Sequence, residues 1–264
     1  MSLHNPPKAL LFDVFGTVVD WRSTITTALT TACRNALRAN SPSIPIRVQQ
    51  AAREVDWHAF AQQWRNSYIA FTRGFDPSSP SFTTVDEHHY DSLKSLLAKY
   101  NLDGLFSESE IKSLSLKWHF LDPWKDSPRG LEELNKTFIT ATLSNGNTAL
   151  LEDLAQYASL SFNHVFSAEQ FKAYKPSPLV YNGAAAKLGL QTNECALVAA
   201  HLGDLRAAKR CGYQTIYVAR PQEEAYSPED VLKAKADGWV DMWIDEGQDG
   251  LLEVAKRFAT SSRL

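Results

Sequence analysis

The sequence has few cysteines, no long apolar run and no excess of positive charge. Three widely spaced cysteines in 264 residues indicate neither a disulfide framework nor a zinc site. No segment approaches the ~20 apolar residues of a membrane span, and the stretch before Asp13 lacks the long uncharged core of a signal peptide. The formal net charge of -3 argues against a general nucleic-acid or anionic-membrane binder. We therefore expect a cytoplasmic protein with no nucleic-acid partner and no membrane partner.

The stretch that organises the chain is an apolar run that ends on a carboxylate. Residues 9–12 are of strand type, Asp13 follows directly, and a turn containing Gly16 and Thr17 comes next. In open α/β sheets ligands bind at the carboxyl ends of the strands, at a switch point in strand order. Taken alone, the pattern also fits a strand that happens to carry an aspartate before a turn.

The rest of the chain divides into a helical part and an alternating part. Between Asp20 and about Pro123 helical spacing dominates, with one helix beginning near Ser23, one over residues 48–71, one beginning at Thr84 and one at the capping box of Ser107. After residue 127, helical patterns alternate with strands predicted at residues 137–143, 195–200, 215–218 and 239–244.

This organisation predicts an α/β fold, a Rossmann-like doubly wound parallel sheet core with a helical cap domain inserted after the first strand. We expect the core domain to comprise residues 1–19 and 128–264, and the cap domain residues 20–127. Parallel strands would bring Asp13, the pair Ser144 and Asn145, and the segment 201–204 to one edge, where Lys175 arrives from a loop. Carboxylates, a hydroxyl and a lysine at one place suit covalent chemistry on a small anion.

Four motifs carry a family resemblance. DVFGT at 13–17, LSNG at 143–146, YKP at 174–176 and VAAHLGD at 198–204 resemble, in this order, the motifs of the haloacid dehalogenase superfamily. The match extends from residue 9 to about residue 221. It implies a protein that uses an aspartate as nucleophile.

Two positions indicate the branch of that superfamily. Its phosphatases carry a second carboxylate where this chain has Phe15, because an alkoxide leaving group must be protonated. They also hold Mg²⁺ through an acidic residue where this chain has Ala200. A halide leaves without a proton, so the resemblance implies an L-2-haloacid dehalogenase of type II with no metal and no cofactor. The alternatives are a diverged phosphatase or phosphonate hydrolase, in which Phe15 is a core aromatic, and a catalytically silent binding protein.

Arg65 carries a third point of resemblance. Together with Trp64 it looks like the cap-helix segment from which L-2-haloacid dehalogenases present an arginine to the departing halide; the alternative is a solvated helix residue. The implied substrates are a small 2-haloalkanoic acid and water, and the implied product is a 2-hydroxy acid of inverted configuration, formed through an ester on Asp13.

The resemblance assigns roles to further residues. It gives a catalytic role to Asp13, Thr17, Arg65, Ser144, Lys175 and Asp204. The residues that it places in substrate binding are Val14, Phe15, Asn66, Ile69, Asn145, Tyr181 and His201. Within this set Ser144, with the amides of Asn145 and Val14, would hold the substrate carboxylate. Asp204 would hold Lys175 or position water, and it also fits a helix N-cap.

His201 departs from the pattern of these dehalogenases, which often have an asparagine there. Ala199 and Gly203 replace a serine and a bulky tryptophan, so we expect an altered pocket. A neutral His201 would position or activate water, and the alternative is a side chain that packs at a strand end. The resemblance also allows a homodimer, since related dehalogenases are often dimers.

Overall fold

The computed structural model describes residues 6–38, 44–76 and 81–261. Six parallel strands form its main sheet, in the spatial order β5-β4-β1-β6-β7-β8. The strands are β1 (Ala9–Phe12), β4 (Ile139–Ser144), β5 (His164–Ser167), β6 (Cys195–Ala199), β7 (Gln214–Val218) and β8 (Met242–Ile244). Because β1 is central and the chain order reverses on either side of it, the switch point of the sheet lies at the end of β1. The predicted Rossmann-like parallel fold is confirmed.

The segment between β1 and β4 is mainly helical. It leaves and rejoins the core through a short antiparallel ribbon, in which Val19 pairs with Pro123 and Asp20 with Asp122. The ribbon strands are β2 (Val19–Asp20) and β3 (Asp122–Pro123). Between them lie α1 (Trp21–Arg38), α2 (Ile46–Glu54), α3 (Trp57–Arg73), α4 (Val85–Lys99), α5 (Glu108–Ser115) and the 3-10 helix Leu116–His119.

Helices that flank the sheet follow in alternation with the later strands. They are α6 (Ser127–Leu134), α7 (Thr148–Tyr157), α8 (Pro178–Lys187), α9 (Leu202–Arg210), α10 (Pro228–Ala236) and α11 (Gly250–Ser261), with 3-10 turns at Ala168–Phe171 and Thr192–Glu194. In the part of the chain described here, no helix is both long enough and apolar enough to cross a membrane.

Side-chain caps fix several helix starts. Thr84 and Ser107 each form a full capping box with the glutamate three residues later. The box was predicted at Ser107, whereas at Thr84 only the helix start was predicted. Ser177 and Ser227 precede a proline at the first helical position of α8 and α10, and each accepts a hydrogen bond from a backbone amide of its helix.

Several details differ from the sequence-based prediction, among them the last strand, which is Met242–Ile244 rather than residues 239–244. The helix predicted over residues 48–71 is two helices, because Val55 is extended and the Asp56 carboxylate accepts hydrogen bonds from the amides of residues 58 and 59, which starts α3. Helix α1 begins at Trp21, before the expected Ser23. The edge strand β5 was not predicted, and the ribbon strands β2 and β3 frame a segment for which no strand was expected.

The helical segment packs on the core through aromatic and charged contacts. Trp118 stacks on Trp21 with ring centroids 5.8 Å apart, and it meets Phe15 of the core edge-on at 5.9 Å. His119 bridges the two parts, since its Nε2 lies 3.0 Å from Asp86 of α4 and its Nδ1 lies 2.7 Å from Asp153 of α7. Those hydrogen bonds outweigh burial and raise the pKa of His119.

Candidate active site

The carboxyl edge of the sheet brings the predicted residues to the switch point. Asp13 directly follows β1, and its amide donates to the carbonyl of Val198 in the neighbouring strand at 3.0 Å. Asn145 follows β4, and its side-chain oxygen accepts the amide of Lys175 at 2.7 Å. His201 comes two residues after the end of β6. Backbone hydrogen bonds in the sheet and the Asn145 side-chain amide thus position Asp13, Lys175 and His201.

Lys175 lies between two carboxylates. Its ammonium donates to Oδ1 of Asp13 at 2.9 Å and to Oδ2 of Asp204 at 2.5 Å. The hydroxyl of Tyr181 donates to the other oxygen of Asp204 at 2.6 Å. Burial alone would lower the pKa of Lys175, but the charges of Asp13 and Asp204 outweigh it, so its pKa lies above the ordinary value and the lysine stays protonated.

Asp13 is held as a carboxylate. Burial would raise its pKa, but the charge of Lys175, the hydrogen bond from His201 and the charge of His201 together keep the pKa of Asp13 well below its usual range. Thr17 adds a hydrogen bond, from its hydroxyl to Oδ2 of Asp13 at 2.8 Å. The amide of Ala200 donates to the Thr17 oxygen at 2.9 Å, which directs the Thr17 proton toward Asp13. An ionised, oriented carboxylate can act as a nucleophile.

His201 stands between two acids. Its Nδ1 lies 3.0 Å from Oδ2 of Asp13, and its Nε2 lies 3.5 Å from Oε2 of Glu223. Burial would lower its pKa, but the hydrogen bonds and charges of Asp13 and Glu223 raise the pKa of His201 to about 9. The site therefore favours the cationic ring at neutral pH, whereas activation of water, one of the two roles left open for His201, would need the neutral ring.

Arg65 projects from α3 into an aromatic surround. The guanidinium carbon lies 4.5 Å from the ring centroid of Tyr68, 5.3 Å from that of Phe15 and 5.6 Å from that of Trp21. The side chain is buried, and its Nη1 has no hydrogen-bond partner among the described residues. Because the side chain is only 8% exposed, the alternative of a solvated helix residue is wrong.

A cavity of about 460 Å³ joins these groups, a size typical of small-molecule sites. Of the predicted site residues, it is lined by Asp13, Arg65, Asn66, Ile69, Asn145, Lys175, Tyr181, His201 and Asp204. The other four lie beneath its wall among fully or almost fully buried groups, namely Val14, Phe15, Thr17 and Ser144. The hydroxyl of Ser144 accepts the amide of Gly146 at 3.3 Å.

Asp204 does not cap a helix, although the N-cap role was one alternative expected for it. It is the third residue of α9, whose N-cap position is His201, so the Asp204 carboxylate is not the cap of that helix. Its two oxygens are instead taken by Lys175 and Tyr181.

Glu223 also lines the cavity, and it was not predicted from the sequence. Its carboxylate is almost fully buried, accepts a hydrogen bond from Trp21 Nε1 at 2.9 Å and lies 3.7 Å from the Arg22 guanidinium. Gly16, at φ +85°, leaves room for it, because a Cβ there would stand 2.0 Å from Glu223 Oε2. Glu223 belongs to a loop without a motif, and its only signal was that the loop follows a parallel strand.

The site does not have the donor set of a metal centre. The Lys175 ammonium already bridges Asp13 and Asp204, where a cation would otherwise bind. Within residues 6–38, 44–76 and 81–261, no cluster of three or more histidine, cysteine, aspartate or glutamate side chains could hold a metal ion.

Comparison with known proteins agrees with this geometry. A family model described as haloacid dehalogenase-like hydrolase matches residues 7–212. The (S)-2-haloacid dehalogenase 4A of Burkholderia cepacia is 26% identical over 249 residues, which cover 89% of this chain and 93% of that protein.

Solved structures show the same likeness. A defluorinating L-2-haloacid dehalogenase aligns over 96% of this chain and 95% of its own, with 31% identity and a TM-score of 0.76. A second L-2-haloacid dehalogenase aligns over 96% of this chain and 99% of its own, with 30% identity and a TM-score of 0.72. Fold and site together define a Rossmann-like α/β protein with an ionised aspartate at its switch point. The chain belongs to the haloacid dehalogenase-like hydrolase family.

Proposed function

We propose that this protein is a hydrolytic dehalogenase that converts small (S)-2-haloalkanoic acids to 2-hydroxy acids. One observation carries the proposal: the ionised Asp13 and the guanidinium of Arg65 line the same cavity, and Arg65 has no carboxylate partner in the described chain. A cation without a protein counter-ion can receive a leaving halide without first breaking an ion pair.

The reaction proceeds in two steps. A carboxylate oxygen of Asp13 attacks the carbon that bears the halogen, in line with the carbon-halogen bond, and the halide leaves toward Arg65 with that bond's electron pair. Water then attacks the carboxyl carbon of Asp13 and releases the 2-hydroxy acid with inverted configuration. Lys175 and Thr17 hold the nucleophile, and Asp204 and Tyr181 hold Lys175.

The substrate carboxylate is assigned to Ser144 and to the amides of Asn145 and Val14. Asn145 lines the cavity, which supports this part of the proposal, whereas Ser144 is fully buried beneath it. Asn66 and Ile69, which line the cavity, are assigned to contact with the carbon chain, and Phe15, which lies beneath the cavity wall, is assigned to the same pocket.

Three further assignments belong to the proposal. We assign residues 1–19 and 128–264 to the catalytic core domain and residues 20–127 to the cap domain; the ribbon of β2 and β3 supports a boundary near these positions. A homodimer and a cytoplasmic location are proposed by analogy with related dehalogenases, and light scattering on the purified chain tests the first.

Halide release from each enantiomer of 2-chloropropionate, in the presence of EDTA, tests the function. Wild type should release chloride from the (S) enantiomer, and Asp13→Asn, which keeps the size of the side chain but not its charge, should release none. Loss of wild-type activity on adding EDTA would contradict a metal-free reaction. Magnesium-dependent hydrolysis of p-nitrophenyl phosphate without chloride release would favour a phosphatase instead.

Fluorinated acids extend the same experiment, because one structural relative is described as defluorinating. Fluoride is a poor leaving group and depends strongly on a donor that stabilises its developing charge. We propose that fluoroacetate is a slow substrate and that Arg65→Lys reduces fluoride release more than chloride release. Equal losses for both halides would show that Arg65 does not contact the leaving group.

A further inference from the structure

Residues 14–18 form a tight turn directly after the nucleophile, here named the nucleophile turn. The amides of Thr17 and Val18 both donate to the carbonyl of Val14, at 3.2 and 3.0 Å. Local bonds of this kind fix the shape of a turn but not its orientation on the sheet. That orientation depends on the carbonyls of Gly16, Thr17 and Val18, which are bonded by groups outside the turn.

Two residues supply those outer bonds, and neither belongs to the four sequence motifs. Trp124, directly after β3, donates from its indole Nε1 to the carbonyl of Gly16 at 3.0 Å and from its amide to the carbonyl of Val18 at 3.0 Å. Arg220, two residues after β7, donates from Nε to the carbonyl of Thr17 at 2.9 Å. Three successive carbonyls are therefore held by residues that lie far from the turn in sequence.

The guanidinium of Arg220 is itself fixed in orientation. Its Nη1 and Nη2 donate to the two carboxylate oxygens of Asp126, at 2.6 and 2.8 Å, and the same carboxylate accepts the amide of Leu251 at 2.7 Å. Both side chains of the pair are largely buried, 6% and 14% exposed, and the guanidinium carbon lies 5.4 Å from the ring centroid of Trp124. A planar group bonded at two nitrogens has one orientation, so its Nε is directed at Thr17.

Thr17 connects this arrangement to the reacting group. Its carbonyl is bonded by Arg220, while its hydroxyl donates to Asp13 at 2.8 Å and accepts the amide of Ala200 at 2.9 Å. A threonine side chain has little freedom about its first torsion, so the position of its backbone decides where the hydroxyl lies. A displaced Thr17 backbone would therefore turn the hydroxyl away from Asp13.

We propose that Arg220, Asp126 and Trp124, together the turn clamp, are positioning residues for the attack by Asp13. The clamp holds the nucleophile turn so that the Thr17 hydroxyl stays aligned on the carboxylate. It contacts neither Asp13 nor the cavity and acts only through the backbone of the turn. The inference rests on the proposed function, since Asp13 is taken as the group that reacts.

Arg220→Lys tests the clamp with little change in charge. A lysine keeps a cation opposite Asp126, but it has no Nε–H at the position that bonds the Thr17 carbonyl. Single-turnover release of chloride from (S)-2-chloropropionate reports the attack by Asp13. We expect the rate constant at saturation to fall by about 10- to 100-fold, the loss typical of a reacting group misplaced by a fraction of an ångström to ~1 Å. The concentration for half-maximal rate should stay near the wild-type value, because Thr17 does not line the cavity.

A double-mutant cycle with Thr17→Val separates positioning from a general structural effect. Valine has nearly the shape of threonine but lacks the hydroxyl, so in that background Arg220→Lys should cause almost no further loss. The same fold-loss in both backgrounds would show that Arg220 does not act through Thr17 and would overturn the proposal, as would a wild-type rate in Arg220→Lys itself. Arg129→Lys, at an exposed arginine of α6, is the matched control and should leave the rate unchanged in both backgrounds.

Trp124→Phe is a second variant, which carries the same cycle if Arg220→Lys does not fold. It removes the indole donor to the Gly16 carbonyl and keeps an aromatic ring beside Arg220. The expected loss of chloride-release rate is about 3- to 10-fold, the worth of one neutral hydrogen bond. Trp243→Phe, on the edge strand β8, is the matched control and should show no loss.

Hydrogen exchange tests the clamp without any need for activity. The amides of Thr17 and Val18 should exchange faster in Arg220→Lys and Trp124→Phe than in wild type, because the turn opens more often, while the amides of β6 stay protected. A wild type without chloride release would overturn the proposed function, and faster exchange in the turn would then still support the clamp. Unchanged exchange at both amides would overturn the clamp whatever reaction the protein catalyses.

Discussion

Arg65 offers a test in which activity and stability should change in opposite directions. The guanidinium is buried among the rings of Tyr68, Phe15 and Trp21, and its Nη1 has no hydrogen-bond partner in the described chain. Burial of such a charge destabilises the fold, and a halide bound beside Arg65 would offset that cost.

The magnitudes follow from these contacts. A buried unsatisfied donor costs about 1–3 kcal/mol, and burial of a charge costs several kcal/mol more. Cation-π contacts with the three rings return roughly 0.5–2 kcal/mol each. Arg65→Met keeps the length and the helix propensity of the side chain, so the variant should equal wild type in free energy of unfolding or exceed it by up to ~2 kcal/mol. Loss of one donor to developing charge should slow halide release by about 100- to 1,000-fold.

Urea unfolding and single-turnover chloride release measure the two effects on the same samples. Sodium bromide should raise the unfolding midpoint of wild type, because it binds the folded site, and should have no specific effect on Arg65→Met. Arg53→Met, at an exposed position of α2, is the matched control and should change neither quantity. A variant that loses more than about 2 kcal/mol of stability while releasing chloride at the wild-type rate would refute the reasoning and make Arg65 a structural residue.

Three further changes have defined outcomes. Lys175→Met removes the cation between two buried carboxylates, so the pKa of Asp13 should rise, the acid limb of the chloride-release profile should move to higher pH, and unfolding should become easier by about 3–5 kcal/mol. Gly16→Ala forces a side chain into a left-handed backbone conformation and against Glu223, and calorimetry should show a lower melting temperature, by a strain of about 1–3 kcal/mol. The pKa of His119 is raised in the folded state, so its stabilising contribution is complete below about pH 6.5 and is lost as pH rises through the raised value; the difference in unfolding free energy between wild type and His119→Gln should shrink accordingly. A difference independent of pH would contradict the charge-based account of His119.

The sequence allowed prediction of those parts of the fold that have a strong local signal. Apolar runs predicted β1 and β6, and side-chain caps predicted the starts of α4 and α5. The break between α2 and α3 was missed because the apolar spacing continues nearly in phase across Val55. The edge strand β5 was missed because it is only four residues long and half of it is polar.

The residues of the candidate site likewise include some that could be predicted from the sequence and some that could not. The motifs placed Asp13, Lys175 and Asp204 correctly at one edge, since parallel strands share the direction of their carboxyl ends. The partners of His201 could not be predicted, because Glu223 comes from an irregular loop and reaches the histidine only through tertiary packing. The charge state of His201 depends on that loop, and the sequence alone therefore left it open.

The ribbon of β2 and β3 has a consequence for how such proteins can change. The chain leaves the sheet and returns to it at two paired positions, so the segment between them can be lengthened, shortened or exchanged without altering the register of β1. Arg65 belongs to that segment, while Asp13 directly follows the central strand of the sheet. With the roles proposed for Arg65 and Asp13, recombination at the ribbon would combine new leaving-group contacts with an unchanged nucleophile, and these two short strands would be the natural junction for chimeric enzymes.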